Sequence, residues 1–117
     1  MNALSNQKCI PCDRNSLALA KNEVEVLIHE LPDWSIITEN GVDQLHRSFK
    51  FKNFIDALTF TNAIGEIAEQ ENHHPLIELT WGKVTIRWWT HTVAGLHKND
   101  FIMAAKTNNQ YAKFTQA

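Results

Sequence analysis

Proline and glycine are scarce here: three prolines and four glycines among 117 residues, scattered rather than clustered. That leaves no low-complexity segment and no flexible linker between domains. Cysteine is scarcer still, with only Cys9 and Cys12, which excludes a disulfide-dense scaffold. No stretch approaches the roughly 18 uninterrupted apolar residues of a membrane-spanning helix. No basic amino-terminal segment leads into an apolar run, so no signal peptide is expected. Neither sign of charge dominates: 11 Lys and Arg stand against 13 Asp and Glu, a net charge of -2. That balance excludes a nucleic-acid surface built on bulk positive charge. These absences predict a soluble, cytoplasmic protein that touches neither membrane nor nucleic acid directly.

What is present suits one compact domain. Hydrophobic residues make up 44% of the chain, and four tryptophans and six phenylalanines supply large core groups. Cys9 and Cys12 form a Cys-Ile-Pro-Cys sequence. Its spacing suits half a zinc site or a redox pair. No second Cys-x-x-Cys completes a zinc ribbon and no βαβ pattern surrounds the pair, so two free thiols are the favoured reading.

Residues 1–16 lack periodicity and are expected as a poorly ordered arm; residues 17–117 form the domain. A helical stripe covers Leu17 to Leu31 and stops at Pro32. Trp34 to Ile37 predicts a strand, and Asn40-Gly41 a tight hairpin turn whose central residues both take positive φ. Leu45, Phe49 and Phe51 lie on the returning strand. A second helix is expected from about Asn53, a plausible cap, to Asn72, where Pro75 forbids continuation. Leu76 to Trp81 and Val84 to His91 predict a second hairpin, split at Gly82-Lys83, and a last helix runs from about Asn99 to Phe114. The expectation is an α+β fold: a four-stranded antiparallel sheet from two hairpins, with helices packed on one face. The bare face would expose apolar surface, which makes self-association plausible.

Chemistry concentrates where the second helix ends, in Glu69-Gln70-Glu71-Asn72-His73-His74-Pro75. Adjacent residues at a helix end project in different directions, so His73 and His74 can play different roles around one ligand. A histidine titrates near neutrality and can therefore give or take a proton during turnover. The second hairpin brings the end of its last strand, and with it His91, back to the same rim. Asp100, opening the last helix, is placed either to orient His91 or to cap the helix. Trp81, Trp88 and Trp89 at strand spacing read first as core or interface, and Glu66, Glu69 and Glu71 as a solvated helix face. Three histidines also suit zinc, but the helix-borne His-x-x-x-His spacing of many zinc enzymes is missing. The residues alone lead to a histidine-rich rim of open chemistry.

The same residues carry a resemblance. Glu69, three positions, then His73-His74-Pro75, the aromatic Trp81, His91 and Asp100 stand without insertion in the register of the pterin-4a-carbinolamine dehydratase (4a-hydroxytetrahydrobiopterin dehydratase) family. Thr90-His91, Gly95-Leu96, the Leu31-Pro32-Asp33-Trp34 junction and the Phe49 to Phe54 segment also look like family members. The amino-terminal Cys-x-x-Cys is similar to that of bacterial relatives. Two departures stand out. His97 replaces a frequent threonine cap, which moves the expected helix start to Asn99. Ala94 replaces a frequent second glycine, which is expected to stiffen its turn.

What the resemblance implies is a hydro-lyase that dehydrates 4a-hydroxytetrahydropterin to quinonoid dihydropterin and water. It would support tetrahydrobiopterin recycling for an aromatic amino-acid hydroxylase such as phenylalanine hydroxylase. Neither metal nor organic cofactor is implied. His73 and His91 would be the acid/base pair, with the two roles undistributed, and His74 would position the pterin. Glu69 and Asp100 would support the histidines, with Pro75 and Trp81 completing the substrate-binding set. Family members are dimers or tetramers. Two other readings remain: a non-catalytic protein-binding module, since animal relatives also act as transcriptional cofactors, and a metal-binding protein using the histidines with Cys9 and Cys12.

Overall fold

The computed structural model describes residues 3–10 and 16–115. Three helices, α1 (Lys21–Ile28), α2 (Phe54–Glu71) and α3 (Lys98–Thr115), accompany four strands, β1 (Ser35–Glu39), β2 (Val42–Lys50), β3 (Leu76–Thr80) and β4 (Lys83–Trp88). The sheet is antiparallel in the order β1-β2-β4-β3, so the second strands of the two hairpins meet at its centre. This is the α+β architecture expected from the sequence. Period-two alternation puts Leu45 and Phe49 of β2 beside Val84, Ile86 and Trp88 of β4 on one face, all at most 1% exposed. Ala57, Phe60, Ile64 and Ala68 of α2 and Phe101 to Ala105 of α3 close over them in one core. Phe49, Phe51, Phe60, Tyr111 and Phe114 pack there with ring centroids 4.8–6.0 Å apart, within the range of favourable tilted and edge-to-face pairs.

Local chemistry accounts for several boundaries. Asn40 and Gly41 both take positive φ (52° and 78°), the requirement of the two-residue hairpin turn joining β1 to β2. Asn53 caps α2 by accepting the Asp56 N–H at 2.7 Å. Gly82 sits where space is tight. A Cβ there would sit 3.0 Å from the Phe51 carbonyl oxygen, and the Phe51 N–H donates to Gly82 O at 2.9 Å. The β3–β4 turn is therefore Trp81-Gly82, and Lys83 already belongs to β4.

The starts of two helices also move, and β4 stops at Trp88, short of the expected His91. Residues 16–20 are not helical; Leu19 N–H is drawn 2.8 Å from Leu96 O, and Leu17 stays 83% exposed. This tertiary pairing overrides the helical stripe, and α1 begins only after Ala20, whose N–H donates to the Glu23 carboxylate. At the other end α3 starts at Lys98 rather than Asn99, because His97 is a working cap. Its Nδ1 accepts the Asn99 N–H at 3.0 Å, while Asp100 accepts the His97 N–H at 2.9 Å, a reciprocal arrangement of the capping-box kind.

The amino-terminal segment is tied down where it is described. Leu4–Asn6 makes a 3₁₀ turn that sets Leu4, 6% exposed, into the core, and Lys106 Nζ of α3 donates to Ser5 O at 3.0 Å. Cys12 lies outside the described residues. No helix among them is long and apolar enough to cross a membrane.

Candidate active site

The carboxyl end of α2 aims the two adjacent histidines. Asn72 adopts the left-handed conformation (φ 52°, ψ 42°), its N–H reaching Glu69 O while the His73 N–H reaches back to Ala68 O. These two bonds form a Schellman motif, which satisfies the last carbonyls of the helix and reverses the chain. His73 is thereby turned inward, its side chain 13% exposed, and His74 outward at 56%. Pro75 then blocks any return to helix and starts the extended run into β3.

His73 is held on both of its open sides. Its ring stacks on the buried Trp88 indole, with centroids 5.7 Å apart and planes 12° from parallel. Its Nε2 lies 2.6 Å from Asp100 Oδ1. Asp100 is fully buried, and its other oxygen accepts from Thr90 Oγ1 at 2.8 Å and from the His97 N–H at 2.9 Å. One carboxylate therefore joins the end of α2, the end of β4 and the start of α3. Burial of a charged group is sustainable only with such full hydrogen-bonding.

Through Thr90 the same carboxylate fixes the base of the His91 loop. Thr90 and Gly95 form an isolated bridge, the Thr90 N–H donating to Gly95 O at 2.9 Å, and His91–Val93 makes a 3₁₀ turn within it. Ala94 closes that turn at φ 51°. His91 is exposed, with its ring 5.0 Å from that of Trp89. His74 pairs outward with Glu69, Nε2 to Oε2 at 3.0 Å.

These elements enclose a cleft of about 400 Å³ into which His73, His74 and His91 all face, a size suited to a small-molecule ligand. Of the residues singled out from the sequence, the three histidines line the cleft, and Glu69 and Asp100 stand behind His74 and His73. Asp100 both caps α3 and orients a histidine, but that histidine is His73, not His91. Trp81 is not brought to this cleft. It is 69% exposed at the far turn of the hairpin whose other end carries the histidines, separated from them by the length of β3, about 16 Å at 3.3 Å per residue. A hairpin that brings its two ends together must send its turn away.

Sequence reasoning missed other wall residues. Trp89 lines the cleft while its neighbour Trp88 is buried in the core. The alternation along the strand carried that signal. Ile10 and Asn99 also line it, as does Cys9, which the metal-binding reading sets with the histidines, and no local pattern reveals contacts between segments some 90 residues apart. Among the described residues, no group of three His, Cys, Asp or Glu side chains is placed to hold a metal ion.

Comparison with known proteins gives the family. Residues 17–110 match the family model described as pterin 4 alpha carbinolamine dehydratase. A protein of Chlorobium limicola, provisionally named a pterin-4-alpha-carbinolamine dehydratase, is 51% identical over 107 residues, covering 92% of this chain and 95% of its own. One of Saccharophagus degradans with the same provisional name is 50% identical over 111 residues, covering 95% and 98%. Among solved structures, a protein of Brucella melitensis described as a transcriptional coactivator/pterin dehydratase superposes with a TM-score of 0.73 at 30% identity, covering 80% of this chain and 98% of its own. A match across most of the domain, with relatives half identical over nearly their full length, means that the chain belongs to the pterin-4a-carbinolamine dehydratase family of hydro-lyases.

Proposed function

We propose that this protein dehydrates 4a-hydroxytetrahydropterin to quinonoid dihydropterin by histidine acid/base catalysis, with His73 and His91 as the proton-transferring pair. The observation that carries the reading is the convergence of three imidazoles on one cleft, one of them backed by a buried carboxylate. The reaction breaks the bond from C4a to its hydroxyl oxygen and forms a double bond between C4a and N5. One proton goes to the departing hydroxyl, which leaves as water, and one is withdrawn from N5. No electrons are exchanged with a second reactant, so two imidazoles suffice for the proton traffic.

Asp100 holds Nε2 of His73, so Nδ1 is the nitrogen this ring has left for the substrate. His91 stands across the loop on a base fixed by Thr90. His74 positions the pterin by hydrogen bonding, oriented by Glu69. The product is a substrate for a reductase, which places the enzyme in cytoplasmic tetrahydropterin recycling for an aromatic amino-acid hydroxylase. Exposed Val26, Phe54 and Ile55 are suited to contact between copies in a dimer or tetramer.

The test is stopped-flow absorbance of 4a-hydroxytetrahydropterin decay. Wild-type protein accelerates the decay, and His73→Ala or His91→Ala loses roughly 100- to 10,000-fold in kcat. Folded wild-type protein that leaves the decay rate unchanged defeats this reading and favours a binding role, for which partner capture is the next measurement.

A further inference from the structure

We propose that the amino-terminal strap, Leu4 to Ile10, is a wall of the substrate cleft in which Ile10 contacts the bound ring system and Asn99 and Glu71 act as positioning residues. The proposal rests on the dehydratase reading and extends it to a segment outside the family-matched region, which begins at residue 17.

The strap is fastened at both ends. Leu4 is seated in the core at one end. At the other, the Asn99 side chain makes two reciprocal bonds to the Ile10 backbone, Oδ1 accepting its N–H at 3.0 Å and Nδ2 donating to its carbonyl at 2.7 Å. The Cys9 N–H donates to Glu71 Oε1 at 2.8 Å, and the Cys9 thiol lies 3.8 Å from Asn99 O. Asn99 is 3% exposed. A buried side-chain amide is costly unless paired, and here both of its ends are committed to one backbone position.

The fasteners adjoin the catalytic groups. Glu71 stands two residues before His73, and Asn99 immediately precedes Asp100. The strap is therefore held by the same two chain ends that bring His73 and its carboxylate together. Its position is set in register with the reacting groups rather than left to a loose tail.

The strap also adds aliphatic surface to the rim. Polar and apolar surface share the cleft about equally, with the histidines, Thr90, Thr92, Asn72 and Glu71 on the polar side and Trp89 among the apolar walls. Among the described lining residues Ile10 is the aliphatic side chain, and it is 62% exposed although its backbone is fixed. A flat heterocycle needs apolar contact as well as a few placed polar groups. An exposed isoleucine on an immobilised backbone at such a mouth has surface that a bound ring would cover.

Ile10→Ala tests the proposal, since trimming an exposed side chain should leave the melting temperature unchanged. Steady-state dehydration should show KM raised about three- to tenfold with kcat within about twofold of wild type. In an Asn99→Ala background, where the Ile10 backbone has lost both of its side-chain fasteners, the Ile10→Ala effect should shrink. An unchanged KM for Ile10→Ala overturns the wall, and equal Ile10→Ala effects in both backgrounds overturn the fastening. Should folded wild type prove inactive, the dehydratase reading fails, and the wall is judged by equilibrium binding of 7,8-dihydrobiopterin. Weaker binding by Ile10→Ala then supports it, and equal or absent binding overturns it.

Discussion

Asp100 gives His73 one oxygen, at 2.6 Å from Nε2, and gives its other oxygen to Thr90 and the His97 backbone. Both oxygens act as acceptors, and a carboxylate is the only side chain that offers two such oxygens at that position.

Asp100→Asn keeps the shape and removes one of the two acceptors. The amide must turn its NH2 either toward His73 Nε2, selecting the other tautomer, or toward the Thr90 hydroxyl and His97 N–H, leaving the His97 N–H facing a donor. With either orientation the proton-transferring ring is misassigned or the His91 loop base is loosened. We expect kcat to fall by about 10- to 1,000-fold with KM changed far less, because Asp100 does not reach the cleft itself. Steady-state kinetics on protein shown to be folded by circular dichroism would check this. Wild-type kcat in Asp100→Asn would remove Asp100 from the positioning role.

His73 and His74 are neighbours with opposite surroundings, and their variants should separate. His73 is packed on Trp88 and largely buried against Asp100; His74 is half exposed and paired with a still more exposed Glu69. His74→Ala should raise KM more than it lowers kcat, whereas His73→Ala should lower kcat. Glu69→Gln should leave the melting temperature unmoved, since exposed ion pairs contribute little. A His74→Ala variant with normal KM and collapsed kcat would transfer a catalytic role to His74.

Much of this arrangement was legible residue by residue. Asn40-Gly41 announced its turn because few other pairs accept two positive φ values, and Asn53 and Pro75 bracketed α2 through capping and a missing N–H. The histidines were legible because they flank the second hairpin, whose two ends must come together. The pairing of β2 with β4 was not, because joining two hairpins is decided by core packing far apart in sequence. The same limit hid the partner of Asp100 and the strap at Cys9 and Ile10, contacts that no local pattern encodes. Trp81 misled in the opposite way: it stands close to the histidines in sequence but across the length of the hairpin in space.

Ala94 carries a cost that the fold pays for the His91 loop. It sits at φ 51° and ψ 45°, where a Cβ is crowded by the backbone and an L-residue loses roughly 1–2 kcal/mol. Glycine escapes that penalty but gains freedom in the unfolded chain, which returns part of the difference. Ala94→Gly should therefore stabilise the protein by about 0.5–1 kcal/mol, read as a rise of roughly 2–5 °C in the melting temperature. The same substitution tests what holds His91. If the anchor is the Thr90–Gly95 bridge together with the Thr90–Asp100 bond, as the distances of 2.9 Å and 2.8 Å indicate, kcat should stay at the wild-type value. A more stable variant with reduced kcat would instead mean that the stiffness of Ala94 itself keeps the imidazole in place.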